Sequence, residues 1–177
     1  MILCGIDEAG RGPVIGPMVM AGVIVDEQGE AELKSIGVKD SKLLSPKERE
    51  DLFKKILSIA KDYKIVSLPP ETIDSHMRDP NSNLNMLEAK TSSEILSSLK
   101  PDKAYIDLPD RNVSRYREWI SSKLPSPVDL ICEHKADQTY PVCSAASIIA
   151  KVTRDRYLDM LREQFGEDFG SGYTSDP

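Results

Sequence analysis

The chain has 177 residues, 40% of them hydrophobic and 29% charged, with 23 Lys and Arg against 29 Asp and Glu, three Cys and two His. A chain of this size buries roughly 70% of its unfolded surface, enough for a core without disulfides or structural metal, so an extracellular disulfide scaffold or a collagen-like or disordered chain is a poor reading. The net charge of -6 runs against a large non-specific nucleic-acid binder, though not against an enzyme that holds nucleic acid through divalent metals.

The longest run without a charge, Pro13 to Val25, has 13 residues and is broken by Gly16, Pro17 and Gly22, well short of the ~20 apolar residues that span a bilayer. The N-terminus meets an acid at Asp7 rather than presenting a basic region before an apolar stretch, so cytoplasm is the expected location and no membrane partner is expected. Cys4, Cys132 and Cys143 form no CxxC pair, and His76 and His134 stand far apart, so zinc has no support. Any metal chosen by this carboxylate-rich chain is Mg²⁺ or Mn²⁺.

In chain order, ILCGIDEAG reads as a short strand that leaves regular structure at Ala9-Gly10, and a Gly/Pro-rich loop leads to a second strand over Met18 to Glu27. The clearest helix start is LLSPKERE, with Ser45 as N-cap, Pro46 at the first helical position and Glu48 closing a capping box. Leu52, Phe53, Ile56, Leu57 and Ala60 form its buried stripe. Tyr63 to Leu68 is a strand stopped by Pro69-Pro70, and a long helix runs from Asn83 or Asn85 to about Leu99. A strand over Lys103 to Leu108, a helix from about Asn112 to Ser122 and a strand over Val128 to His134 follow.

The last helix, beginning in SAAS, changes face: Ala145, Ile148, Ile149 and Val152 lie on one side, Tyr157, Leu158, Leu161 and Phe165 roughly opposite. Either it bends near Thr153 to Arg156, or its first half packs on the sheet while its second half receives another element. The alternation of elements predicts an α/β fold, with one domain over 1–177 whose residues 142–177 form a C-terminal helical and substrate-contact region.

Acids sit inside core-like strands: Asp7 and Glu8 after Ile6, and Asp107 after Ile106. A buried unpaired carboxylate is expensive and is normally protonated or offset by a cation. Asp7 and Glu8 would point to opposite faces of a regular strand, but a turn at Ala9-Gly10 lets both converge, and Asp137 in HKADQTYP can complete the cluster. Taken singly, each acid reads as a solvated turn or cap residue. Taken together they suit two divalent ions that bind a phosphate, activate water and stabilise the departing oxygen.

Gly10-Arg11-Gly12 opens a GxGxxxG stretch that matches neither a dinucleotide loop nor a P-loop. It is a tight Gly/Pro turn or a place where backbone donors and acceptors approach a sugar edge and its 2′-OH, with Arg11 meeting a phosphate.

GIDEAGRGPVIGP, KDSKLLSPKERE, AYIDLPD, EHKADQTYPVCSAASIIAKVTRDR and FGSGYTSDP together resemble type 2 ribonuclease H, in its compact archaeal form, over essentially the whole chain. The resemblance implies an RNase H-like mixed β-sheet flanked by helices. The implied activity hydrolyses RNA in RNA/DNA hybrids and cuts on the 5′ side of ribonucleotides embedded in DNA duplexes, leaving 3′-OH and 5′-phosphate ends. It also implies Asp7, Glu8, Asp107 and Asp137 as catalytic metal-binding carboxylates for two Mg²⁺ or Mn²⁺ ions. Gly10, Arg11 and Gly12 would read the ribose 2′-OH, and Tyr173 would pack on the following deoxyribose. Such an enzyme takes part in ribonucleotide excision and primer removal, and is expected to act as a monomer.

Lys39, Ser41 and Lys42 resemble a substrate-contacting loop, and Ser144, Ser147, Lys151 and Arg154 are phosphate contacts or an ordinary helix start with a basic face. His134 reads as structural, Cys143 as a packing residue, and His76 has no recognisable setting. Thr174 stands where the family has Pro, and the sequence stops at Pro177 where members continue, so the expectation is a shortened form with no readable motif for a replication clamp. A DNA resolvase of the wider superfamily shares the strand-end acids without a reason for GRG, and a non-catalytic nucleic-acid binder would tolerate their substitution.

Overall fold

The computed structural model describes residues 1–12 and 16–166, Lys42 by its backbone alone, so Tyr173 lies outside the described residues. The elements run β1 (Leu3–Ala9), β2 (Met18–Val25), α1 (Glu27–Ser35), a 3₁₀ turn (Val38–Leu43), α2 (Pro46–Ile59), β3 (Asp62–Leu68), α3 (Pro70–Arg78), α4 (Leu84–Leu99), β4 (Lys103–Asp107), α5 (Val113–Ser121), β5 (Asp129–Glu133), α6 (Ala136–Thr139) and α7 (Pro141–Phe165). The sheet has the order β3-β2-β1-β4-β5, antiparallel on the β2 side of β1 and parallel on the β4 side. This is the mixed RNase H-like sheet that the resemblance implies.

Strand β1 is central, and its alternate residues feed two cores. Leu3 and Ala9 join Val19, Ala21 and Val23 against α2 and α7, while Cys4 and Ile6 join Met18 and Met20 against α4 and α5. Because both faces are covered, every residue of β2 is buried, which explains its nearly continuous apolar run. No helix among the described residues is long and apolar enough to cross a membrane.

Local signals set the helix starts. Ser45 and Glu48 form the expected capping box of α2, and Leu52, Phe53 and Ile56 are buried as read. Asn83, not Asn85, caps α4 by accepting from the Met86 amide at 2.8 Å, and Asn112 caps α5 in the same way at 3.0 Å. The second strand stops at Val25 rather than Glu27, because Asp26 turns its carboxylate onto the Gly29 amide and starts α1.

Helix α7 begins at Pro141, three residues before the expected Ser144, and runs without a break to Phe165. Its first half lies on the sheet through Val142, Ala145, Ile149 and Val152. Its second half extends past the sheet, burying Leu158 while Tyr157, Met160 and Phe165 are exposed. Arg156 ties that half to α2, pairing with Glu50 at 2.5 Å and standing 4.5 Å over the Phe53 ring. The change of face is therefore a change of neighbour along an unbroken helix.

The crossing of α7 over β1 is close enough to exclude a side chain: a Cβ on Gly5 would lie 2.3 Å from the Val142 carbonyl carbon and oxygen. The Cys143 thiol donates to the Ile6 carbonyl at 3.3 Å in the same crossing. Cys4, Cys132 and Cys143 are all free and buried, and burial pushes each thiol up, that of Cys4 to about 12.

Candidate active site at the ends of the central strands

Three aspartates meet where β1 and β4 end side by side. Asp7 comes from β1 and Asp107 is the last residue of β4; the two strands are parallel neighbours. Asp137 arrives from the turn after β5, where Lys135 takes a left-handed conformation at φ 58 and the short α6 begins. His134 holds this corner together through Nδ1, which lies 3.1 Å from the Leu108 carbonyl, and Leu108 donates in turn to the Glu133 carbonyl at 2.9 Å. The structural reading of His134 is the one its contacts support. Tyr140 adds a second brace, stacking on Tyr105 with centroids 4.0 Å apart while its hydroxyl donates to Glu133. One carboxylate oxygen from each of Asp7, Asp107 and Asp137 falls within 4.8 Å of the others.

Glu8 reaches the site differently from expectation. Strand β1 stays regular through Ala9, with Glu8 opposite Met20 and Ala9 opposite Val19, so no turn brings Asp7 and Glu8 to one face. Asp7 leaves on the α7 side, where its carboxylate takes a hydrogen bond from Ser147. Glu8 leaves on the α4 side against the buried Glu88, yet stays at the strand end in reach of Asp7.

The acids hold their protons tightly. Burial first, then the nearby Asp137 charge, pushes Asp7 up to about 7, against the relief of the Glu8 amide. Burial, then the charges of Asp7 and Asp137, pushes the half-buried Asp107 up to about 8. Glu8, ringed by protein atoms, is pushed well up by lost hydration and by Glu88, Asp7 and Asp107. Every charge raising Asp107 is another acid, which is the setting a divalent cation relieves.

Without metal, native Asp7 and Asp107 keep protons that the unfolded chain releases near 3.8, so folding binds protons between that pH and about 7 to 8. The contribution of these groups is full below the unfolded value and lost as pH rises through the folded ones. Thermal unfolding in EDTA should show a melting temperature that falls from about pH 4 to pH 8, with Mg²⁺ or Mn²⁺ restoring most at the alkaline end. A melting temperature rising across that window would contradict the assignment.

Beside Asp137 lies an open cleft of about 310 Å³ carrying Lys39, Ser41, Arg49 and Lys151, with Ser144 and Ser147 on its wall. Three cations around a cleft that reaches Asp137 suit a phosphate backbone. Arg49 escaped the sequence reading because it sits in the first turns of α2 among other charged residues, where nothing local separates it from a solvated face. The Ser144 hydroxyl donates to the carbonyls of Asp137 and Tyr140, fixing the α6–α7 corner.

On the other side of Gly10 and Gly12 is a more apolar hollow of about 420 Å³, walled partly by Ile73 and Met77 of α3. Both glycines have positive φ, 85 and 95. A Cβ on Gly10 would lie 2.1 Å from Nε of Arg154. Arg154 itself has 0% exposure and donates through Nε to the Pro17 carbonyl at 2.8 Å. The expectation of a phosphate contact is thereby corrected for Arg154: it is packed beneath the glycine loop and has no face toward the cleft. Arg11 turns to α4 and meets Glu88 and Asn85. Glu88 was legible as an acid on the Leu84, Leu87, Thr91, Ile95 side of its helix, a pattern that marks a buried polar group.

The Ribonuclease HII family profile matches residues 4–177. Ribonuclease HII of Pyrococcus furiosus is 51% identical over 100% of this chain and 78% of its own length. The crystal structure of ribonuclease H2 from Pyrococcus horikoshii OT3 superposes with a TM-score of 0.91 at 46% identity, covering 100% of this chain and 82% of that one. The ribonuclease HII in the PCNA:RNase HII complex from Archaeoglobus fulgidus gives 0.90 at 43%, covering 100% and 84%. With its acids gathered at the strand ends of an RNase H-like sheet, this chain belongs to the archaeal-type ribonuclease HII family, endoribonucleases that act on RNA/DNA hybrids and on ribonucleotides within DNA.

Proposed function

We propose that the chain cuts the ribonucleotide-bearing strand on the 5′ side of an embedded ribonucleotide, leaving 3′-OH and 5′-phosphate ends, with two Mg²⁺ or Mn²⁺ ions held by Asp7, Glu8, Asp107 and Asp137. The observation that carries this reading is the convergence of Asp7, Asp107 and Asp137 oxygens within 4.8 Å beside a glycine loop. The donor set fits: it is all oxygen and acidic, and its carboxyls are raised in pKa first by burial and then by one another's charge, as suits hard divalent ions. When bound, such ions supply Lewis-acid polarisation of the phosphate and a nucleophilic water at neutral pH.

The chain's own residues do the rest. Ser147 orients Asp7 through its hydroxyl, and the α6–α7 corner fixes Asp137. Lys39, Ser41, Arg49 and Lys151 hold the substrate backbone along the cleft. Gly10 and Gly12, without side chains, let their peptide groups approach the ribose closely enough to sense its 2′-OH. Lys42 and Tyr173 keep their proposed substrate roles from the motif, and the protein is proposed to work as a monomer in the cytoplasm.

The test is site-resolved cleavage of three end-labelled duplexes, one with a single ribonucleotide, one RNA/DNA hybrid and one all-DNA, with Mg²⁺ and with EDTA. The expected result is Mg²⁺-dependent cutting immediately 5′ of the ribonucleotide, internal cutting of the hybrid and an intact all-DNA control. Equal cutting of the all-DNA duplex would overturn the 2′-OH reading.

A further inference from the structure

The glycine loop is gripped by two helices. From the α7 side, Arg154 lies under Gly10 and holds the Pro17 carbonyl. From the α4 side the grip is made through Arg11, whose Nε donates to Glu88 Oε2 at 2.9 Å and whose Nη2 donates to Asn85 Oδ1 at 2.5 Å. Asn85 and Glu88 stand three residues apart on α4 and so present a paired acceptor to one guanidinium. Two bonds to a planar guanidinium fix its orientation as well as its position.

Glu88 is an unusual residue to find there. It has 0% exposure on a helix whose Leu87, Ser92 and Ile95 are also buried, where an apolar side chain would pack at less cost. Its second oxygen, Oε1, has no hydrogen-bond donor among the described residues. The Glu88 side chain also lies against the carboxyl group of Glu8. One buried side chain thus touches both Arg11, at the centre of Gly10–Gly12, and an acid of the strand-end cluster.

We infer that Glu88, assisted by Asn85, is a positioning residue that joins the ribose-sensing backbone of Gly10–Gly12 to Glu8 of the metal-binding cluster, and that the Arg11 guanidinium serves this link instead of gripping a phosphate. The inference rests on the proposed roles of the glycine loop and Glu8. It makes recognition and metal binding mechanically dependent: the loop cannot shift without moving Glu88, and Glu88 cannot shift without freeing Glu8.

The experiment compares wild type, N85A, E88A and E88Q, measuring KM on the single-ribonucleotide duplex and the Mg²⁺ concentration at half-saturation by titration calorimetry without substrate, with thermal unfolding as a check on folding. Asn85 touches Arg11 but not Glu8, so N85A should raise KM by about 5-fold or more without moving the Mg²⁺ midpoint. E88A should raise both by roughly 10-fold, the usual order for residues that orient a metal ligand. E88Q keeps an acceptor for Arg11 and offers an amide to Glu8, and should recover both to within about 3-fold. An E88A protein with both quantities within twofold of wild type, an E88Q protein as impaired as E88A, or an N85A protein with unchanged KM would overturn the link. Asn85 is partly exposed, so N85A keeps the question open to test if E88A does not fold. Wild type failing to cut at the ribonucleotide would instead remove the underlying reading.

Discussion

Asp107→Asn should lower hydrolysis of an RNA/DNA hybrid by on the order of 10³-fold, equivalent to about 4 kcal/mol of transition-state stabilisation, while making the metal-free protein more stable near pH 8. Both effects come from one cause. Asp107 ends β4 with Asp7 and Asp137 around it, and burial and those acids push its carboxyl up to about 8. The amide of D107N keeps the shape but carries no charge, so the repulsion and the cost of lost hydration disappear together. The same neutrality removes one of the oxygens that a divalent ion needs. Single-turnover cleavage at saturating Mg²⁺ and thermal unfolding in EDTA provide the check. An active D107N protein, or one less stable than wild type at pH 8 in EDTA, would refute the assignment.

Gly5→Ala should cost about 3 kcal/mol or more of stability, lowering the melting temperature by roughly 6 to 12 °C for a chain of this length. The added methyl carbon would fall 2.3 Å from the Val142 carbonyl and 2.5 Å from the Cys143 amide nitrogen. Those are backbone atoms at the start of a 25-residue helix, so no rotamer change can make room. The helix must lift from β1, drawing Ser147 away from Asp7, so activity should fall even below the melting temperature. Gly37→Ala is the control. It has φ 80 but open space around its Cβ position, so its cost should be only the roughly 1 to 2 kcal/mol of a left-handed alanine. Equal melting temperatures for G5A and wild type would show that α7 does not rest on β1 as described.

How much of this was readable in the residues depends on whether the information is local. The Ser45–Glu48 capping box and the Pro69-Pro70 stop are local, and both elements lie where expected. The strand-end acids were visible because Asp7 and Asp107 follow isoleucines in strands with no other reason to carry charge. Helices α1 and α3 were not read: α1 holds Gly29 and few apolar residues, and α3 has no buried residue, so neither carries a stripe. The route by which Asp7 and Glu8 approach each other is not legible, because the sequence points to a turn at Ala9-Gly10 that β1 does not make. In fact the regular strand sends one acid to each face, and neighbouring elements meet both. Arg154 shows the limit most clearly, since an arginine on a charged stretch of helix reads as exposed, and only the close approach of Gly10 buries it. Glu88 could have been flagged by its helical phase, but its tie to Arg11, 77 residues away, could not.

The three sealed cysteines make the protein a ready chassis for optical reporters. Maleimide and related reagents attack thiolates, and here each native sulfur is both enclosed and held in its protonated form. A single thiol placed at Met77, which is 62% exposed on the wall of the hollow beside Gly10 and Gly12, would therefore react alone. A dye attached there, in an otherwise native background, would test in real time whether nucleic acid reaches the loop as proposed, and would separate arrival from bond breaking.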